Sequence, residues 1–201
     1  MDDRIGRVNL AEGCLAQARL AELDDPEKVE GLLRKAAESQ PGNHRARIAM
    51  AAYYLSAMHK NYDLAEQYGR EALRVDPSRM EAYAILATAS AARGNWTDMD
   101  AVLARAEKAV PDDPTPYYRA AGAILASGRE IERAERLLRT YLAAEPEGNA
   151  PTRAEAHWQL GLVLEKEGRG AEAIGEWSES LRLDSDSPAK RELKRVAARQ
   201  P

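Results

Sequence analysis

Few residues in this sequence are suited to catalysis or metal binding. Its 201 residues include one cysteine, three histidines and no phenylalanine, and aromatic residues make up only 5% of the chain. The single cysteine, Cys14, excludes an internal disulfide. His44, His59 and His157 are not spaced as a metal-binding motif, and the sequence has no glycine-rich phosphate loop. We therefore expect no metal, no cofactor, no catalytic residue and no enzymatic activity.

Charge and hydropathy argue against two further classes of protein. The net charge is −4 and the isoelectric point is about 5.6, so the chain lacks the basic surface that attracts nucleic acid. No apolar run approaches the roughly 20 residues of a membrane span. Residues 1–4 lack the basic and apolar parts of a secretion signal. We expect a cytoplasmic protein without nucleic acid or membrane insertion, or a periplasmic one if a signal peptide has been removed.

Helix-breaking residues recur at regular intervals along the chain. Pro41, Pro77, Pro111 and Pro146 follow one another at separations of 36, 34 and 35 residues. Proline lacks the N–H that a continuing helix needs, so each marks the end of a helical stretch. Between the prolines lies a second set of breaks, at Lys60-Asn61, Gly94-Asn95, Gly128-Arg129 and Gly168-Arg169. This spacing predicts a pair of helices that repeats about every 34 residues.

The repeated unit resembles the tetratricopeptide repeat (TPR). In that family a bulky residue opens the first helix and is followed by Leu-Gly or Leu-Ala; a turn glycine, an alanine-rich second helix and a proline come next. The fifth unit matches this pattern with Leu160, Gly161, Leu164, Gly168, Ala173 and Trp177. The third matches it with Tyr83, Leu86, Ala87, Gly94, Leu103, Ala106 and Pro111, and the fourth with Tyr117, Ala120, Ala121, Ile124, Gly128, Ala134, Leu138 and Pro146.

The resemblance implies an all-α fold. It would be one right-handed α-solenoid of about five helix hairpins spanning residues 1–201, closed by a C-terminal capping helix. The hairpins would cover approximately residues 4–41, 42–77, 78–112, 113–150 and 151–186, and the capping helix residues 187–200. Gly69 departs from the pattern, because a large residue is expected there. We expect a hole at this position, which Tyr53, Tyr54 or Tyr68 could fill.

In this family the first helix of each hairpin faces a concave groove, which implies a peptide-binding surface. The groove candidates are Met50, Tyr53, Ala84, Thr88, Tyr118, Arg119, Gly122, Trp158, Gln159 and Leu162. The aromatic residues would anchor a partner, and Arg119 and Gln159 would orient it. Some family members grip a terminal carboxylate with several basic residues. Here only Arg119 is basic, which favours an apolar or amphipathic segment.

These patterns favour a non-enzymatic protein–protein interaction scaffold, which binds an extended or helical peptide in its groove. The composition, rich in alanine and arginine, suggests a bacterial protein. One alternative is a self-assembling structural protein, a homo-oligomer. Residues 22–30 carry five acids and one base, whereas residues 187–201 carry five bases and one acid, and such ends could attract each other. A second alternative, which the resemblance also covers, is an assembly factor for a bacterial envelope complex. The partner's identity stays open.

Overall fold

The computed structural model describes residues 10–18, 26–56, 58–144 and 150–198. Over these residues the chain forms eleven α-helices and no strand, which confirms the all-α prediction. The helices are α1 (residues 10–18), α2 (Pro26–Ser39), α3 (His44–Leu55), α4 (Tyr62–Val75), α5 (Met80–Arg93), α6 (Trp96–Ala109), α7 (Thr115–Ser127), α8 (Ile131–Ala143), α9 (Arg153–Lys166), α10 (Gly170–Leu183) and α11 (Ala189–Ala197).

The turns inside the hairpins lie where the sequence predicts them. Gly94, Gly128 and Gly168 have φ angles of 77°, 69° and 78°, in the left-handed region that glycine enters without steric cost. The hairpin of α3 and α4 has no glycine at its turn, and Lys60 takes the left-handed conformation with φ of 49°. Each turn therefore reverses the chain between two helices of similar length.

Polar side chains determine where several helices begin. Asn43 accepts a hydrogen bond from the backbone N–H of Ala46 at 3.2 Å and so caps α3. Asn61 caps α4 in the same way. At α9, the Thr152 hydroxyl accepts from the Glu155 N–H while the Glu155 carboxylate accepts from the Thr152 N–H. This reciprocal capping box satisfies two backbone donors at the start of the fifth hairpin.

The buried side chains form two clusters. The smaller N-terminal cluster includes Cys14 and residues of α2, α3 and α4, and Cys14 is only 4% exposed, as expected for a small apolar side chain. The larger cluster extends from the end of α4 through α10 to Ala189 of α11. Leu193 and Val196 of α11 pack against the same cluster. The last helix therefore covers the end of the solenoid, as the sequence predicts for a capping helix.

Ion pairs link neighbouring hairpins at a spacing close to the repeat length. In each pair an arginine of one hairpin or of the capping helix contacts a carboxylate 30 to 34 residues earlier in the chain. The pairs are Arg45–Glu12, Arg93–Asp63, Arg133–Asp100, Arg169–Glu135 and Arg195–Glu165. Because they are partly exposed, each contributes little to stability alone. Their regularity reflects the common orientation of successive hairpins.

The expected hole at Gly69 is absent, and that interpretation is wrong. A Cβ atom at Gly69 would lie 3.1 Å from Cδ2 of Leu86, so the leucine of the next hairpin already fills the space. The tyrosines proposed for this role pack against the N-terminal cluster instead. There the rings of Tyr54 and Tyr68 stack on each other, with their centroids 5.8 Å apart. Gly69 is thus a point of close approach between α4 and α5.

Part of the predicted organisation lies outside the described residues. The first hairpin is described only as α1 and α2, and residues 19–25, which hold three of the five acids of the acidic segment, are not included. Over the part of the chain that is described, no helix is both long enough and apolar enough to cross a membrane.

Candidate functional site

A groove of about 990 Å³ runs along the first helices of four successive hairpins, α3, α5, α7 and α9. Its apolar lining combines small residues, such as Ala52, Ala84 and Gly122, with larger ones, such as Ile48 and Ile85. Small residues on the helix surface leave open space above the backbone, which allows another chain to approach closely. Among the described residues, the second helices of these hairpins supply no helical residue to the lining.

Six of the ten groove residues expected from the sequence line this groove. They are Ala84, Thr88, Tyr118, Arg119, Gly122 and Gln159. Three of them lie on α7 and recur at positions 118, 119 and 122, the spacing that puts residues on one helix face. The structure therefore brings the candidates on α5 and α7 together with Gln159 of α9 on one surface.

The other four candidates do not line the groove. Met50 is completely buried in the N-terminal cluster, so its assignment to the groove is wrong. Tyr53 is half-buried, and its ring lies 4.0 Å from that of His59. Trp158 and Leu162 are half-buried and pack against the larger cluster. These side chains contribute mainly to packing between helices.

The error on α3 has a clear cause. The groove face of this helix carries Ile48, Ala52 and Leu55, spaced at i, i+4 and i+7. The α3 sequence HRARIAMAAYYL is apolar on most sides, so its periodicity does not identify the inner face. The stripe through positions 48, 52 and 55 was the signal that could have located it. The charged lining residues Arg79, Glu81 and Asp113 were also missed, because they lie at or before the starts of α5 and α7.

Tyr118 forms part of the groove wall and is held firmly in place. Its ring lies 5.4 Å from that of Tyr141, and its side chain is only 6% exposed. The Tyr141 hydroxyl donates a hydrogen bond to the carbonyl oxygen of Pro151, which connects α8 to the segment before α9. Burial raises the pKa of Tyr118 to about 12. The Tyr118 hydroxyl is therefore protonated at neutral pH and is able to donate a hydrogen bond.

Gln159 faces Tyr118 and Gly122 across the space between α9 and α7. A Cβ atom built on Gly122 would lie 3.4 Å from Nε2 of Gln159, so the amide sits directly over the glycine. Oε1 of Gln159 is buried and accepts no hydrogen bond from any described residue. A buried acceptor without a partner is uncommon and costly in free energy.

The three histidines and the cysteine do not line the groove. The described residues contain no group of three or more His, Cys, Asp or Glu side chains arranged to hold a metal ion. His157 lies on the fifth hairpin, where its Nδ1 atom is 2.6 Å from the Glu176 carboxylate. This pair joins α9 to α10.

Comparison with known proteins identifies the fold. No family model and no curated protein matches the sequence. Solved structures do match: a thermophilic TPR protein of Thermus thermophilus is 18% identical, with a TM-score of 0.69 over 94% of this chain and 99% of that one. The type IV pilus biogenesis factor PilW is 18% identical, with a TM-score of 0.67 over 93% of this chain and 82% of that one.

A TPR protein from Parabacteroides merdae is 21% identical, with a TM-score of 0.64 over 90% of this chain and 68% of that one. At these levels of identity the similarity establishes the architecture rather than a shared partner. The chain has the fold of TPR proteins, an all-α solenoid of helix hairpins, as the resemblance predicts.

Proposed function

We propose that this protein is a non-enzymatic interaction scaffold that binds an extended or helical segment of a partner protein in the groove along α3, α5, α7 and α9. The observation that carries the proposal is the continuity of the groove across four consecutive first helices. Its volume of about 990 Å³ is at the upper end of the roughly 300–1,000 Å³ typical of small-molecule sites. That size and the elongated shape suit a short stretch of polypeptide.

The composition of the groove supports this proposal. The floor is formed by small and aliphatic side chains, whose contact with apolar groups of a partner would release water. Polar groups such as Thr115, Arg119 and Gln159 lie beside the apolar ones. A few polar groups in an apolar groove supply orientation and specificity, while burial of apolar surface supplies affinity.

Gly122 offers a direct way to test the groove. Its Cβ position points into the groove beside Gln159, so the indole introduced by Gly122→Trp would fill the space that a partner would occupy. Gly175 is a matched control, because it is an exposed glycine on α10 with nothing within 4 Å of its Cβ position. Both substitutions replace a helical glycine with the same bulky residue, but only one blocks the groove.

The experiment selects peptides from a displayed library of random dodecapeptides and measures their binding by fluorescence anisotropy. We expect Gly122→Trp to weaken binding at least about tenfold, since it fills the centre of the contact, and Gly175→Trp to leave binding unchanged. Circular dichroism would verify that both variants are folded. Equal binding by both variants, or no selected peptide, would contradict the proposal.

The selected sequences would also define the binding mode. Apolar residues spaced at i, i+3, i+4 and i+7 would indicate a bound helix, whereas alternating apolar residues would indicate an extended strand.

A further inference from the structure

Arg119 places a positive charge in the groove. It is the only charged residue of α7, and within the described residues no carboxylate forms an ion pair with it. Its guanidinium lies over the Tyr118 ring, with Cζ 5.7 Å from the ring centroid. The other arginine of the groove, Arg79, is held by the Asp76 carboxylate at 2.6 Å. Arg119 therefore retains its capacity to bind a carboxylate.

Tyr118 adds a second hydrogen-bond donor at the same place. Its side chain lines the groove next to Arg119, and its hydroxyl forms no hydrogen bond to any described residue. Since the hydroxyl is protonated at neutral pH, it can donate a hydrogen bond to an acceptor that a ligand supplies. Arg119 and Tyr118 together present donors to one region of the groove, which suits a carboxylate oxygen.

Gln159 provides the complementary group, an acceptor. Its Oε1 atom is buried without a partner in the described part of the chain, over Gly122 and one helical turn from Tyr118 and Arg119 on α7. A peptide that lies along α7 carries backbone N–H groups that could satisfy this oxygen. An apolar ligand would leave the oxygen unsatisfied, so the site favours a polar contact here.

The charge balance of the groove limits how acidic the partner segment can be. Glu81 of α5 and Asp113, which precedes α7, also line the groove, and neither forms an ion pair with a described residue. A run of several acidic residues would be repelled at Glu81 and Asp113 while it was attracted at Arg119. One acidic residue within an otherwise apolar or mixed segment can reach Arg119 with the least of this repulsion.

We propose that the groove recognises a protein segment through one internal aspartate or glutamate, whose side-chain carboxylate binds Arg119 and Tyr118 while Gln159 accepts an N–H from the same segment. This inference rests on the proposed function, because it assigns the chemistry of the partner in that same groove. The acidic residue is taken as internal because the groove continues from Arg119 towards α3 and α5 on one side and towards α9 on the other, so that a segment can pass through it.

A charge-reversal selection tests this proposal. Random dodecapeptides, displayed through their C termini so that no terminal carboxylate is free, are selected in parallel on wild type and on Arg119→Glu. Arg105→Glu is the matched control, because Arg105 also lies over a tyrosine, 5.9 Å from the Tyr83 centroid, but on α6 and outside the groove. Both arginines are exposed, so neither substitution disturbs the core.

We expect wild type and Arg105→Glu to enrich peptides with Asp or Glu at one fixed position, and Arg119→Glu to enrich Lys or Arg there. Conversion of that acid to its amide should weaken binding to wild type about tenfold, the size of a charge-assisted hydrogen bond. The same conversion should have little effect on binding to Arg119→Glu. A purely structural role for Arg119 would not reverse the selected charge.

Three results would overturn the inference, and they separate it from the proposed function. The selected peptides could lose binding to Gly122→Trp and yet show no preference for an acidic residue. This result would refute the carboxylate site but not the proposed function of the groove. No groove-dependent peptide at all would refute both. A dimer in analytical ultracentrifugation that Gly122→Trp dissociates would assign the groove to a second copy of this chain, and would also refute the acidic segment.

Discussion

The second and fifth hairpins each contain a helical glycine at a close approach, but the two glycines contact different kinds of neighbour. In the fifth hairpin, a Cβ atom on Gly161 would overlap Nε1 and Cδ1 of Trp177 and lie 2.9 Å from its Cε2. In the second, a Cβ atom on Gly69 would lie 3.1 Å from Cδ2 of Leu86. The first neighbour is a rigid indole within the same hairpin, and the second is a flexible leucine of the next hairpin.

The difference indicates how each hairpin is stabilised. Trp177 is only 1% exposed, and its Nε1 atom donates a hydrogen bond to the carbonyl oxygen of Trp158 at 3.3 Å. The ring cannot move without breaking this bond, so α9 and α10 are locked at one spacing. Leu86 has no such constraint and can change rotamer. The glycine that matches the TPR pattern should therefore tolerate substitution less than the one that departs from it.

The largest effect is expected from Gly161→Ala. The added methyl overlaps the indole of Trp177, and overpacking of this severity costs about 3 kcal/mol of unfolding free energy. Urea unfolding followed by circular dichroism measures it. Gly175→Ala is the control, because its Cβ meets open space and should stabilise the helix by up to about 1 kcal/mol. A Gly161→Ala protein as stable as wild type would show that the two helices are not locked.

A smaller loss is expected from Gly69→Leu, because Leu86 already fills the space beside it. We expect the unfolding free energy to fall by about 2 kcal/mol, the usual range for added volume in a packed core. Combining it with Leu86→Ala should recover part of the loss, with a coupling of roughly 1 kcal/mol between the two sites in a double-mutant cycle. If Gly69→Leu raised the melting temperature, a hole would exist after all.

The smallest expected effect is on the pH dependence of stability. It concerns the aspartates at the C-cap positions of α4 and α10. Asp76 follows α4, and its carboxylate accepts hydrogen bonds from the Ser78 hydroxyl and N–H and from Arg79. Asp184 follows α10, and among the described residues its carboxylate accepts only from the Asp186 N–H. The Ser78 bonds, together with Arg79, lower the pKa of Asp76 from 3.8 to about 2. Because this pKa is lowered in the folded state, the stabilisation is complete above about pH 4 and is lost as the pH falls towards about 2.

A carboxyl titration followed by nuclear magnetic resonance measures this pKa directly. We expect a midpoint near 2 for Asp76 in wild type and a shift towards 3.8 in Ser78→Ala, which removes the hydroxyl donor. A wild-type midpoint near 3.8 would mean that these hydrogen bonds do not persist in solution.

Much of the fold follows from residues whose effect is local. The spacing of Pro41, Pro77 and Pro111 and the turn glycines predict the helix pairs, because proline and glycine act on the backbone beside them. Gly161 and Trp177 both match the repeat pattern, and the structure adds that they contact each other. The groove positions on α7 could be predicted because this helix matches the pattern in register.

The errors concern contacts between hairpins. Leu86 reaches Gly69 from 17 residues further along the chain, so its position depends on how α5 packs against α4. The inner face of α3 was misassigned, since apolar residues on most sides of that helix obscure the stripe through positions 48, 52 and 55. Oε1 of Gln159 is buried without a hydrogen-bond partner among the described residues because of how α7 and α9 are spaced, and the sequence of neither helix alone determines that spacing.

The central claim is that a partner segment binds along the first helices rather than the second. Hydrogen–deuterium exchange of wild type, with and without a saturating selected peptide, tests it most directly. The account predicts slower exchange of backbone amides in α7 and α9 on peptide binding, and unchanged exchange in α6, α8 and α10. Protection confined to the second helices, with α7 and α9 unaffected, would contradict it.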